Sequence, residues 1–186
     1  MPRNESPYRV PLRQIPPDGL DLRFDLSGPF AGKALAGTEA QTGSATIDAE
    51  VNLQRVGHDV YARGRVVGTL TVPCSRCAKE AALAVDAPFE LTFVPPGSDG
   101  AADSGDEEVE LAAGDLDVLP YDGEGVDLEE ILREQLLLSI PIAPLCREAC
   151  QGLCPRCGHD RNEGPCPCPP EPPTDDRWAA LKNVKV

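Results

Sequence analysis

Aromatic residues are scarce. Four phenylalanines, three tyrosines and one tryptophan make up 4% of the 186 residues, so a core has to come from Val, Leu, Ile and Ala. Long apolar runs are missing too. The most apolar stretch, residues 136–145, is broken by Pro141 and Pro144, whereas a membrane span needs ~20 apolar residues. The opening MPRNESPYRVPLRQIPP has no apolar segment of the secretory type, so the expected compartment is the cytoplasm, with no membrane partner. No Walker loop, dinucleotide fingerprint or nucleophile elbow occurs. The densest run of carboxylates sits in a segment that would not preorganise an acid/base pair. The expectation is therefore a protein that is not an enzyme.

Positive charge is lacking where negative charge is densest. Residues 86–130 hold fifteen acids and no base, while residues 1–85 hold nine acids and ten bases and residues 131–186 hold seven of each. The net charge of −14 disfavours a naked high-affinity nucleic-acid binder, which needs a cationic face. It suits a basic partner protein. Residues 95–125 are rich in Gly, Asp and Glu and poor in bulky apolar side chains. Such a stretch buries too little to offset the entropy of ordering. The chain is therefore expected to divide into an N-terminal arm and β meander (1–94), an acidic mobile segment (95–126), and a helix with a Cys-rich segment and a short terminal helix (127–186).

The expected fold class is α+β: an antiparallel β meander packed by one main helix, followed by a small Cys-rich zinc-knuckle segment. Residues 45–56, 59–72 and 81–93 alternate apolar and polar with period two, as half-buried strands do. Ile47, Ala49, Val51 and Leu53 share one face of the first. Val60, Ala62, Val66, Leu70 and Val72 share one of the second, and Leu83, Val85, Ala87, Phe89, Leu91 and Phe93 one of the third. Residues 20–26 alternate similarly, and Gly57-His58-Asp59 marks a turn. The main helix follows Asp127, with Glu130 completing a capping-box-like start. Leu128, Ile131, Leu132, Gln135 and Leu136 form its apolar face, widened by Leu137 and Leu138. A second short helix is expected over residues 175–183, with Trp178 and Leu181 on one stripe.

Eight cysteines fall into four close pairs: Cys74/Cys77, Cys146/Cys150, Cys154/Cys157 and Cys166/Cys168. In a reducing compartment such pairs point to metal rather than disulfides. Structural zinc takes four thiolates, commonly as two close pairs. Cys154-Pro-Arg-Cys157-Gly158 is the best knuckle, because Gly158 can adopt the left-handed conformation after its second cysteine. Cys74-Ser-Arg-Cys77 has the spacing without that glycine. The favoured partition puts Cys154, Cys157, Cys166 and Cys168 in one site, and Cys74, Cys77, Cys146 and Cys150 in a second. Two other partitions compete: Cys146/Cys150 with Cys154/Cys157, and Cys74/Cys77 with Cys154/Cys157. The implied cofactor is structural zinc, one ion or two. His159 is a fallback ligand and His58 a turn residue. Buried unligated thiols are the plain alternative. A thioredoxin-like role for Cys74/Cys77 fits poorly, because strand pattern rather than helix follows.

These segments together resemble a known bacterial family. VPCSRCAKE follows two strands, a variable acidic stretch intervenes, and DLEEILREQLLLSIPIAPLCREACQGLCPRCGHDRNEGPC leads to DDRWAALKNV. This order is similar to that of the YceD family, the large ribosomal RNA subunit accumulation proteins, over roughly residues 45–186. The resemblance implies a cytoplasmic, non-catalytic ribosome-assembly factor supporting accumulation or processing of large-subunit ribosomal RNA. It implies as partner a basic ribosomal protein of the large subunit or a pre-ribosomal particle. The family's asparagine-rich stretch reads His159-Asp160-Arg161-Asn162 here, and its Asp-Pro-Arg reads Asp175-Asp176-Arg177. The alternative function is a zinc-knuckle module binding RNA directly through Arg147, Arg156, Arg161, Arg177, Lys182 and Lys185.

Overall fold

The computed structural model describes residues 6–43, 46–97 and 118–169. The expected short helix at 175–183 and most of the acidic segment lie outside the described residues. The alternating segments form three long antiparallel strands: β3 (Ile47–Val56), β4 (Asp59–Pro73) and β5 (Glu80–Val94). A two-residue turn at Gly57-His58 sets the β3–β4 register, with Val56 opposite Asp59. β2 (Leu20–Asp25) pairs antiparallel with β3. β6 (Val118–Pro120) joins β5 in parallel, giving the sheet order β2-β3-β4-β5-β6.

Period-two alternation sends every second side chain to one face. On that face Ile47, Leu53, Val60, Val66 and Leu70 have no exposed surface. Two helices cover it. α2 (Glu129–Leu138) packs on β4 and β5 and touches α1 (Pro29–Ala34). Leu128, Leu132 and Leu136 are fully buried at this junction, and Ile131 nearly so. The opposite face is polar and laced with exposed pairs, such as Arg23 with Glu50 and Arg63 with Glu90. Exposed pairs of this kind contribute little to stability. The α+β architecture expected from the residue pattern is thus the one observed, a mainly antiparallel sheet with one main helix and a Cys-rich end.

Several local expectations are corrected. α2 starts at Glu129, with Leu128 in the capping position and no capping box. The Asp127 carboxylate still accepts the Glu129 N–H at 2.9 Å, satisfying one orphan donor of the first turn. Glu130 plays no capping part, while Glu129 meets Lys33 and Ser6. Leu138 is 76% exposed rather than part of the apolar face. Residues 118–126, assigned by charge to the acidic segment, are ordered by packing. Tyr121 is buried and its hydroxyl donates to the His58 carbonyl at 2.8 Å. β7 (Gly125–Asp127) pairs with β1 (Arg9–Pro11) to form a small clasp. Among the described residues, no helix is long and apolar enough to cross a membrane.

Candidate metal centres

β4 and β5 are joined by the Cys74–Cys77 turn, and the chain leaving α2 runs back beside it. The Ser75 N–H donates to the Pro144 carbonyl at 2.8 Å. This brings Cys146 and Cys150 onto Cys74 and Cys77. The second knuckle follows directly and folds with Cys166 and Cys168. The result is two groups of four thiols, Cys74/Cys77/Cys146/Cys150 and Cys154/Cys157/Cys166/Cys168, each with all sulfurs within 4.8 Å of one another. This is the favoured partition; the two competing partitions are not the ones assembled.

The donor spacing of the sheet-side cluster fits a tetrahedral ion, and that of the C-terminal cluster is tighter. Zn–S bonds of ~2.3 Å imply sulfur–sulfur edges of about 3.8 Å. In the sheet-side cluster Cys74 and Cys150 lie 3.8 Å apart, and Cys77 and Cys146 3.7 Å. In the C-terminal cluster Cys166 lies 3.3 Å from both Cys157 and Cys154. A disulfide requires about 2.05 Å, and all eight cysteines are free.

Both knuckles are built alike. The N–H of the first cysteine reaches the carbonyl five residues on: Cys74 to Lys79 at 2.9 Å, and Cys154 to His159 at 2.8 Å. The N–H four residues on returns to the first cysteine: Ala78 to Cys74 at 2.8 Å, and Gly158 to Cys154 at 2.9 Å. That return places the residue after the second cysteine at positive φ. Gly158 takes +72°, and Ala78 takes +58° despite its Cβ. Lack of a glycine in the first knuckle therefore did not prevent the turn.

The turn also aims amides at sulfur. The N–H groups of Cys146, Arg76 and Cys77 hold the Cys74 thiol down at about 6. Those of Cys157 and Arg156, with the Cys166 thiol, hold Cys154 down to about 6. Hydrogen bonds to the charged form favour it. Lost hydration and the neighbouring Cys77 sulfur push Cys146 up to about 12. The Cys166 and Cys157 sulfurs push Cys168 up to about 12. In the sheet-side cluster Cys150 is lowered as well, its loss of hydration outweighed by hydrogen bonds from the Asn162 amide and the Gly152 N–H. Each cluster thus favours at least one thiolate, and a cation would displace the remaining protons.

The other sequence candidates fall outside this chemistry. His159 contributes its carbonyl to the knuckle, and its Nε2 is buried without a hydrogen-bond partner among the described residues. His58 is a turn residue. Arg147 and Arg156 are tied by hydrogen bonds to Asn162 and to the Pro169 carbonyl. Arg177, Lys182 and Lys185 lie outside the described residues. Residue spacing gave no hint of Asn162, Arg76 and Lys79, which bind the two clusters to each other.

A family model described as large ribosomal RNA subunit accumulation protein YceD matches residues 62–185, two thirds of the chain. The chain belongs to the YceD family. The YceD match takes in β5, α2 and all eight cysteines, and leaves β1 to β3 outside it. This YceD chain is similar to uncharacterized proteins of Mycobacterium tuberculosis (strain H37Rv) and Mycobacterium bovis. Each is 29% identical over 168 residues, covering 87% of this chain and 73% of the relative. An uncharacterized protein of Mycobacterium leprae is 26% identical over 140 residues, covering 75% of this chain and 59% of the relative. No solved structure matches.

Proposed function

We propose that this protein is a non-catalytic assembly factor of the cytoplasm that supports accumulation and processing of large-subunit ribosomal RNA. The observation that carries this reading is the family match across residues 62–185. In both clusters the ion is zinc and its role is structural. Four sulfur donors leave no open position for a water or substrate, which also supports a role without catalysis. The net charge of −14 favours a basic ribosomal protein of the large subunit, or a pre-ribosomal particle presenting one, as the partner. Zinc bound to the sheet-side cluster would clamp the β4–β5 turn to the chain leaving α2, at Cys146 and Cys150. Zinc in the C-terminal cluster would close the loop between Cys157 and Cys166.

Deleting the gene and separating ribosomal particles on sucrose gradients tests the reading. It predicts a fall in mature large-subunit RNA relative to small-subunit RNA, with large-subunit precursors accumulating. Normal profiles under growth that demands rapid ribosome synthesis overturn it. Direct RNA binding is a second reading, favoured by the exposed Arg147, Arg156 and Arg161. Binding of large-subunit RNA that weakens steeply with salt supports that reading.

A further inference from the structure

The two clusters share more than proximity in sequence. From the sheet side, the Arg76 carbonyl accepts the Leu153 N–H at 3.0 Å, and its guanidinium donates to the Cys150 carbonyl at 2.7 Å. Lys79 Nζ lies 2.7 Å from both Asp160 Oδ2 and Glu163 Oε1. From the other side, the Asn162 amide Nδ2 donates to Cys150 Sγ at 3.5 Å and to Asp160 Oδ1 at 2.6 Å. Its Oδ1 accepts the Gln151 N–H at 2.9 Å and an Arg147 N–H at 2.8 Å. Cys150 belongs to the sheet-side cluster, yet Asn162 sits on the loop between Cys157 and Cys166 of the C-terminal cluster.

A hydrogen bond to a ligating thiolate orients it and offsets its charge, and such outer groups tune metal affinity strongly. We infer that Asn162 is a positioning residue for the sheet-side metal centre, carried on the loop that the C-terminal centre closes, so that metal binding at the two centres is positively coupled. The inference rests on the zinc reading above. Closing the Cys157–Cys166 loop orders Asn162, Asp160 and Glu163 together. The sheet-side centre then finds its Cys150 donor, and the two partners of Lys79, already in place. The ordering cost is met once and shared between two ions. The coupling is reciprocal, because each ion changes the other's affinity by the same factor.

The test uses the full chain as wild type, Asn162→Ala, Cys157→Ser and the double variant. Zinc affinity is read by chelator competition. Alkylation with mass spectrometry identifies which thiols each ion shields. Asn162→Ala, which keeps all eight cysteines, should weaken the sheet-side centre about 10–100-fold and leave the C-terminal centre's affinity unchanged while the sheet-side centre is empty, the gain from filling the sheet-side centre being lost. Cys157→Ser should weaken the sheet-side centre comparably, although Cys74, Cys77, Cys146 and Cys150 are intact. The double variant should be no weaker there than Cys157→Ser alone. Unchanged sheet-side affinity in Asn162→Ala overturns the inference, even where Cys157→Ser fails to fold. Wild-type protein that takes up fewer than two zinc ions overturns the zinc reading beneath it, a result distinct from two ions bound without coupling.

Discussion

The two clusters use the same turn and differ in what surrounds it. In the sheet-side cluster Cys74, Cys77 and Cys150 are 3%, 4% and 2% exposed, and the turn is continuous with β4 and β5. In the C-terminal cluster only Cys154 is buried; Cys157 is exposed, and Cys166 and Cys168 are half-buried. One centre is therefore part of the fold's core connectivity. The other closes a short surface loop. A shared local motif thus specifies donor geometry, while its neighbours decide how much of the molecule depends on the ion.

Removing one ligand from each cluster is the strongest way to break this comparison. Cys74→Ser should cost more than about 4 kcal/mol, because losing a structural metal from the core unfastens the β4–β5 turn from the chain after α2. Cys157→Ser should cost the sheet only about 1–3 kcal/mol, through the Asn162 coupling alone. Thermal unfolding of the two zinc-loaded variants checks this, and equal losses would mean the clusters are equivalent in the fold.

The contact between the clusters is the next place to press. Gly152 has φ +70°, and a Cβ there would lie 2.8 Å from the Arg76 carbonyl oxygen. Gly152→Ala should cost about 2–4 kcal/mol, combining left-handed strain with steric displacement. Amide exchange should show the loss at the Leu153–Arg76 contact before the β3–β4 hairpin is affected.

Much of this arrangement was legible in the residue pattern, and the failures have physical causes. Strands β3, β4 and β5 are long enough for alternation to register, so their bounds agree within two residues. β6 and β7 have three residues each, too few for a period. They sit beside acids whose charge masked the buried Tyr121 and Val126. α1 is a six-residue helix whose main signal is Pro29 in its first turn. The cysteine grouping followed from local pairing, because each close pair comes from one turn or loop. The roles of Arg76 and Lys79 did not, since they join segments about 70–85 positions apart that only the fold brings together, and Asn162 reaches back to Arg147, Cys150 and Gln151 only because the loop folds over them. The strained Ala78 ran against the expectation that such a turn wants glycine.

That last difference gives a mirrored pair of smaller effects. Gly158→Ala places a Cβ in open space but at φ +72°, so only backbone strain opposes it, about 1 kcal/mol. Ala78→Gly releases the same strain at φ +58° and should stabilise by up to about 1 kcal/mol, less the entropy glycine adds to the unfolded chain. Denaturant titration of the zinc-loaded proteins should give opposite signs. Equal signs would mean the two turns are not interchangeable.

The β1–β7 clasp carries no cysteine and sharpens the comparison by its acid response. Asp122 is held down at about 2, first by its hydrogen bond to Arg9 and also by the Glu124 and Gly125 amides. A carboxylate depressed in the folded state adds stability that is present above its ordinary value of 3.8 and lost as pH falls towards 2. Arg9→Gln should flatten the stability slope in that window, whereas Cys157→Ser should leave the clasp's contribution to it unaltered. Carboxyl titration of Asp122 by NMR would read this directly.

Native mass spectrometry of the purified full chain, paired with a count of reactive thiols, tests the central claim most directly. Two closed four-sulfur centres predict two zinc ions per chain and almost no thiol open to alkylation until a chelator is added, after which eight react. One zinc with four freely reactive thiols, or disulfides in place of metal, would contradict the account.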